Sequence, residues 1–209
     1  MKAFRSIVRR NPGPALLLAG CVATFTVVGL VRGVWFLWVY LPALVASIGI
    51  VVAIDHFKGP NPGSLLWLLV IWAGMHLAGG LAPNPTGESE ILYGMWIVDG
   101  VLRYDQVVHG FGIAAATAVF AYAARESDRP LFWGFVLAQV VGLVNETAEN
   151  VFAAFVEEAN VGDMINTMWD LIWQLIGAAV ATLWMVRRGI PGHARGEAYA
   201  PGAQREPRL

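Results

Sequence analysis

SLLWLLVIWAGMHLAGGLA, residues 64–82, runs for nineteen residues without an Asp, Glu, Lys or Arg. A helix of that length covers about 28 Å at 1.5 Å per residue, close to the ~30 Å hydrocarbon core of a bilayer. Buried helices of soluble proteins rarely need so long an uncharged run, so the stretch reads as a membrane span. Five more runs of similar character lie at residues 14–31, 34–54, 106–124, 131–156 and 167–186. Together they fill most of the 209 residues and leave no room for a separate soluble domain. The composition agrees: 57% of residues are hydrophobic and 14% charged, against about a quarter charged in an ordinary soluble domain. The fold class expected is an all-α membrane protein, a bundle of six transmembrane helices.

Basic residues near the span ends set the expected orientation. With the N-terminus in the cytoplasm, only Arg32 and Arg103 of the fourteen Lys and Arg residues fall outside. Both termini are therefore expected to be cytoplasmic: residues 1–13 as an N-terminal segment, 14–186 as a single membrane domain, and 187–209 as a flexible tail too poor in apolar residues to pack. The short connections DHFKGPNPGS (55–64) and RESDR (125–129) read as cytoplasmic turns, and residues 83–104 as the longest external connection. Cys21 follows LAG in a lipoprotein-like box. Only about six apolar residues precede it where a signal peptide carries roughly 7–15, so it reads as a small packing residue in an uncleaved span. No Gly-rich phosphate loop, CxxC pair, HExxH or internal repeat is present.

An Asp at the centre of a span costs about 2.5–3.5 kcal/mol on insertion scales, so polar residues inside spans call for a reason. Span 3 holds His76. Span 4 opens with Asp105 and His109, span 5 contains Asn145, Glu146, Glu149 and Asn150, and span 6 begins near Asn166 and continues through Asp170 and Gln174. By helical rise, residues 146–150 lie roughly 22–29 Å up span 5 and His76 about 18 Å up span 3, while His109 and Asp170 lie about 5 Å below the outer surface. Four helices thus bring their polar groups to one outer layer. The spacing i, i+4 (Asp105 and His109; Asn145 and Glu149), i, i+3 (Glu146 and Glu149) and i, i+4, i+8 (Asn166, Asp170, Gln174) places each set on one helix face. Lipid cannot satisfy those faces, so they are expected to meet.

Histidines and carboxylates at one depth have the make-up of a divalent-metal site, with His76, Asp105, His109, Glu149 and Asp170 as candidate ligands. The same groups suit acid and base chemistry, with His109, oriented by Asp105, as a base, and Glu146 and Glu149 as acid partners. Ten of the fifteen acids lie outside or in the outer half against two bases, a balance that would draw in a cation. A blander reading stands beside these: Asp105 and Asp170 favour a helix N-terminus, and the cluster is a polar network that holds helices together. The tryptophans Trp67, Trp72, Trp96, Trp169 and Trp173 read as interface anchors and packing.

RYDQVVHGFG (103–112), NETAEN (145–150) and GDMINTMWDLIWQLIGA (162–178) occur in that order. In this the chain resembles the YjdF-like family of bacterial inner-membrane proteins, with a looser likeness to VanZ-like membrane proteins. The likeness spans about residues 70 to 180. It implies a multi-pass protein of the bacterial inner membrane and matches Asp105 and His109, Glu146 and Glu149, then Gly162, Asp163, Asn166 and Asp170 to the family's three segments. It implies no reaction. The chain departs from the pattern at Asn166, where the family has aspartate, and at Asn150, where a tryptophan is usual. An asparagine still ligates, but with one less negative charge.

Three functions follow as expectations. The first is a metal- or acid/base-dependent site acting on a lipid or cell-envelope compound, with a divalent ion as the cofactor its composition suits. The second is a binding or structural membrane protein, and the third a small proton-coupled transporter, against which the absence of a repeat argues. The bilayer is the expected partner and nucleic acid is not. The oligomeric state does not follow from the sequence.

Overall fold

The computed structural model describes residues 2–154 and 164–188. Its elements are α1 (Lys2–Arg10), α2 (Pro12–Arg32), α3 (Leu37–Lys58), α4 (Gly63–Leu81), β1 (Trp96–Val98), β2 (Leu102–Arg103), α5 (Tyr104–Ala123), α6 (Pro130–Ala153) and α7 (Met164–Arg187). Helices α2 to α7 are each long and apolar enough to cross a membrane. All six expected spans are present, and their ends lie within a few residues of those read from the sequence.

Local chemistry explains where the helices stop. Gly33 adopts φ 68° after α2, and the N–H groups of Gly33 and Val34 bond back to the carbonyls of Leu30 and Gly29. This paired closure suits glycine, which carries no Cβ penalty in the left-handed region. It holds residues 34–36 in a turn, so α3 begins at Leu37 and not at residue 34. Proline at the start of α2 and of α6 supplies a preset φ where the first N–H groups have no helical partner in any case.

Two features go beyond the elements read from the sequence. The N-terminal segment forms a helix, α1, with Ile7 buried and Arg5, Arg9 and Arg10 exposed. The Arg10 guanidinium grips the Asp55 carboxylate through two bonds of 2.8 and 2.7 Å, tying α1 to the end of α3. The connection at residues 83–104 also contains a small antiparallel hairpin, in which Trp96 pairs with Arg103 and Val98 with Leu102. Its turn holds Asp99 and Gly100, the latter at φ 65°, and an Asp-Gly step between apolar residues is a known hairpin signal.

The bundle centres on α5, which packs against α4, α6 and α7. Small residues allow the close approach. A Cβ at Gly177 would collide with the carbonyl oxygen of Gly110, and one at Gly134 would lie 2.7 Å from the Thr117 carbonyl oxygen. Ala138 and Ala178 are fully buried beside Ile113. Such small-residue contacts are how helices associate in lipid, where burial of apolar surface gives no driving force between them. In α2, Cys21 packs on the cluster of Leu37, Leu77 and Leu81, with its sulfur 3.1 Å from the position a Gly74 Cβ would take.

Candidate functional site

Three helices bring the central polar groups together at the end of the bundle that carries the hairpin. His109 stands two turns into α5, Glu146 in the last third of α6, and Asp170 and Gln174 on one face of α7. His109 Nδ1 lies 3.0 Å from Glu146 Oε1. The Gln174 amide nitrogen donates to that same Glu146 oxygen at 2.6 Å and sits 3.1 Å from His109 Nδ1. Glu146, Asp170 and Gln174 are 2%, 1% and 1% exposed, so these groups have exchanged water for one another. Ligand-capable atoms of His109, Glu146 and Asp170 all fall within 4.8 Å.

Two buried oxygens in the cluster, one on Asp170 and Oε1 of Gln174, are open among the described residues. Asp170 Oδ2 accepts from the Asn166 amide at 2.6 Å, but Oδ1 has no hydrogen-bond partner among the described residues. Buried polar atoms are nearly always paired, and one that is not marks a strain, a catalytic role or a place for an ion or water. The ring contacts of His109 run through Nδ1, which leaves Nε2 as the nitrogen they do not use.

Further hydrogen bonds surround this centre. Asn166 accepts a 2.7 Å bond from the Arg103 guanidinium and hydrogen-bonds Asp105 as well as Asp170. Asn150 donates to the Glu146 carbonyl oxygen at 2.7 Å and to the Thr167 hydroxyl at 3.1 Å, joining α6 to α7. Asp105 Oδ1 accepts the Gln106 backbone N–H at 2.7 Å, and the Gln106 side chain accepts the Arg103 N–H at 2.9 Å. These bonds close the start of α5.

The remaining candidates lie apart from the three-residue group. Glu149 is half-buried and accepts a 2.7 Å bond from the exposed Asn145 amide. It is Glu146, one turn earlier, that joins His109 and Asp170 within ligand distance of one another. His76 belongs to an aromatic set: its Nδ1 meets the Tyr93 hydroxyl, Trp72 stacks on it with ring centres 5.4 Å apart, and Tyr40 meets it edge-on at 4.9 Å. Burial pushes the Tyr93 phenol well above its usual range, so the hydroxyl keeps its proton. Gly162 and Asp163 lie outside the described residues.

The sequence reading missed Arg103, Gln106, Tyr93 and Tyr40 as neighbours of the site. The i, i+3 spacing of Arg103 and Gln106 at a helix start was the available signal for two of them. Of the tryptophans, Trp67 and Trp169 are exposed, Trp72 stacks on His76, and Trp96 lies under the Arg103 guanidinium at 5.0 Å. Trp173 is half-buried, and its ring nitrogen is buried without a partner among the described residues.

Fold and site together define a polytopic α-helical membrane protein with a His–carboxylate cluster buried among its spans. The chain belongs to the DUF2238 family of predicted membrane proteins, whose model matches residues 13–189. This is the YjdF-like family that the three motifs resemble. The looser likeness to VanZ-like proteins has no counterpart in this match. No curated protein matches the chain, and no solved structure does.

Proposed function

We propose that the protein acts on a lipid or cell-envelope compound at a divalent-cation site formed by His109, Glu146 and Asp170, near the outer face of the bacterial inner membrane. The observation that carries this reading is the gathering of one imidazole and two carboxylates within 4.8 Å, one of the carboxylates holding a buried oxygen with no partner among the described residues. Imidazole with carboxylate suits zinc, manganese or iron. Gln174 offers a fourth ligand: turning its amide over exchanges nitrogen for oxygen with little change of shape, and puts a carbonyl oxygen where the nitrogen now faces His109 and Glu146. Asn166 then orients the Asp170 carboxylate, Arg103 holds Asn166, and Asn150 ties the α6 backbone at Glu146 to Thr167 of α7.

A bound cation there would polarise an oxygen of the compound or a water molecule. The chain contributes ligands from three separate helices, a dry surround and the supporting hydrogen bonds. A second reading, a polar network that fixes helix packing, is favoured by one observation. Gln174 bonds directly to Glu146, so the centre has internal hydrogen bonds without an ion.

Elemental analysis of the full chain purified in detergent separates the two. A stoichiometric divalent ion is expected in the wild type, lost in Glu146→Gln and Asp170→Asn and kept in Glu149→Gln, with all the proteins eluting as folded. A wild-type protein purified without chelator and holding no stoichiometric ion would overturn the cation reading and leave the network.

A further inference from the structure

A cavity of about 310 Å³ opens beside the His109 cluster, walled by α3, α4, α5 and α6 with Gln174 of α7 at one end. Most of its polar lining, His76, His109, Asn145 and Gln174, stands at one end, and Ser47 lies farther down. Away from that end the walls are almost wholly apolar, down to Ile50 and Phe120. Both His109 and Phe120 line it, eleven residues apart on α5, and so do Tyr40 and Val51 on α3. Either pair gives a length of about 16 Å, half of the ~30 Å hydrocarbon core and so the depth of one leaflet.

A long apolar trough of leaflet depth with amide and imidazole groups at one end is the negative of an amphiphile. We infer that the cavity holds one hydrocarbon chain of a membrane lipid, with a head-group oxygen at the end formed by His76, His109, Asn145 and Gln174. This rests on the reading of the cluster as a site for a lipid-phase compound, and it names the substrate class.

The physical argument also says what selects the occupant. A chain leaving the bilayer for an apolar trough gains no hydrophobic free energy, because lipid tails are as apolar as the walls. Selection must come from the head, where polar groups at the membrane interior otherwise face hydrocarbon. At that end the amide nitrogens of Asn145 and Gln174 already donate to Glu149 and Glu146, the Nε2 of each histidine is the ring nitrogen its named contacts do not use and can donate, and Glu146 and Asp170, the charged members of the cluster, do not line the cavity. An oxygen-bearing head therefore fits, and the neighbouring cation would add a further attraction for it.

Mass spectrometry of lipids retained by the full chain in mild detergent, with the total membrane extract of the same cells as reference, tests the inference. One lipid class is expected to be enriched on the wild-type protein. Ala43→Trp and Ser47→Phe fill the trough from α3, whose loose packing tolerates added bulk, and each is expected to lose the enriched lipid while keeping the divalent ion. Ala46→Trp, on the same helix but away from the cavity, is expected to keep both. A retained lipid mixture that matches the membrane extract, unchanged in the two filling variants, would be lipid coating the surface only and overturns the inference. Enriched lipid without any ion in the wild type supports the lipid site and removes the cation reading.

Discussion

Helices α5 and α3 cross the same bundle, yet they are built on opposite terms. Over an eighteen-residue window 56% of α5 is buried, against 6% of α3. Their mean hydropathies do not predict this, since α3 is the more apolar at 2.3 against 1.3. What differs is residue size. Where α5 meets α6 and α7 the contacts run through glycine and alanine, so backbones nearly touch. In α3 the large side chains Trp38, Val45 and Phe57 face outward. In lipid, tight packing comes from steric fit and hydrogen bonds, so the less hydrophobic helix is the better buried one, and the polar site is built on it.

The largest effect expected from this contrast is at Gly177. An alanine there would drive its Cβ against the Gly110 carbonyl oxygen, and backbone cannot step aside as a side chain can. Gly177→Ala should cost about 1–3 kcal/mol or prevent folding altogether. Gly49→Ala in α3, with nothing within 4 Å, should stay within about 0.5 kcal/mol of wild type. Thermal unfolding in detergent followed by size exclusion reads both. Equal effects would end the distinction between the two helices.

The next effect is at Gln174. Its replacement by leucine strands the Glu146 carboxylate without its amide donor, at a cost of about 1–3 kcal/mol. Asn145→Leu, on the exposed side of α6, should shift the unfolding temperature far less. If the two variants melt alike, the tie between α6 and α7 does not run through Gln174.

A smaller one concerns the tether of α1. Asp55 holds Arg10 and also accepts the Asn61 backbone N–H at 2.8 Å, so Asp55→Ala removes charge-assisted bonds worth about 1.5–3 kcal/mol locally. Because α1 is peripheral, the expected readout is faster proteolysis near residue 10, with the melting of the bundle unchanged. A lowered melting temperature with no gain in cleavage would contradict that division.

The smallest joins the two regions at the surface. Lys58, at the end of α3, reaches Glu126 at 3.0 Å. Its hydrogen bond and charge hold the Glu126 carboxyl below the usual carboxylate range. A lowered carboxyl value means that the contribution is present above the usual range and fades as pH falls through the lowered value. Both side chains are exposed, so Glu126→Gln should leave stability near neutral pH unchanged within error. A clear loss there would show that α3 depends on this contact.

Much of the fold was legible because a bilayer imposes a coarse test of length and apolarity, which each of the six runs meets by itself. The N-terminal helix and the hairpin were less so: α1 is nine residues long and depends on Arg10 reaching Asp55, forty-five positions away. For the site, spacing placed Asn166, Asp170 and Gln174 on one face, and the bond from Asn166 to Asp170 agrees with that. Spacing did not choose between Glu146 and Glu149. Both lie on the same side of α6, and only the crossing of α6 over α5 and α7 brings the first to His109 and leaves the second to Asn145.

The sequence by itself determined six spans, the polar residues they carry and the level at which those residues sit, since each follows from distance along one helix. Tertiary structure alone decided which polar groups touch, that Gln174 links His109 to Glu146, that an Asp170 oxygen has no partner among the described residues, and that a trough opens beside them. Those outcomes depend on the rotation and approach of one helix against another. Glycine and alanine contacts such as Gly110 against Gly177 fix these, and they leave no periodic trace in a chain of apolar residues.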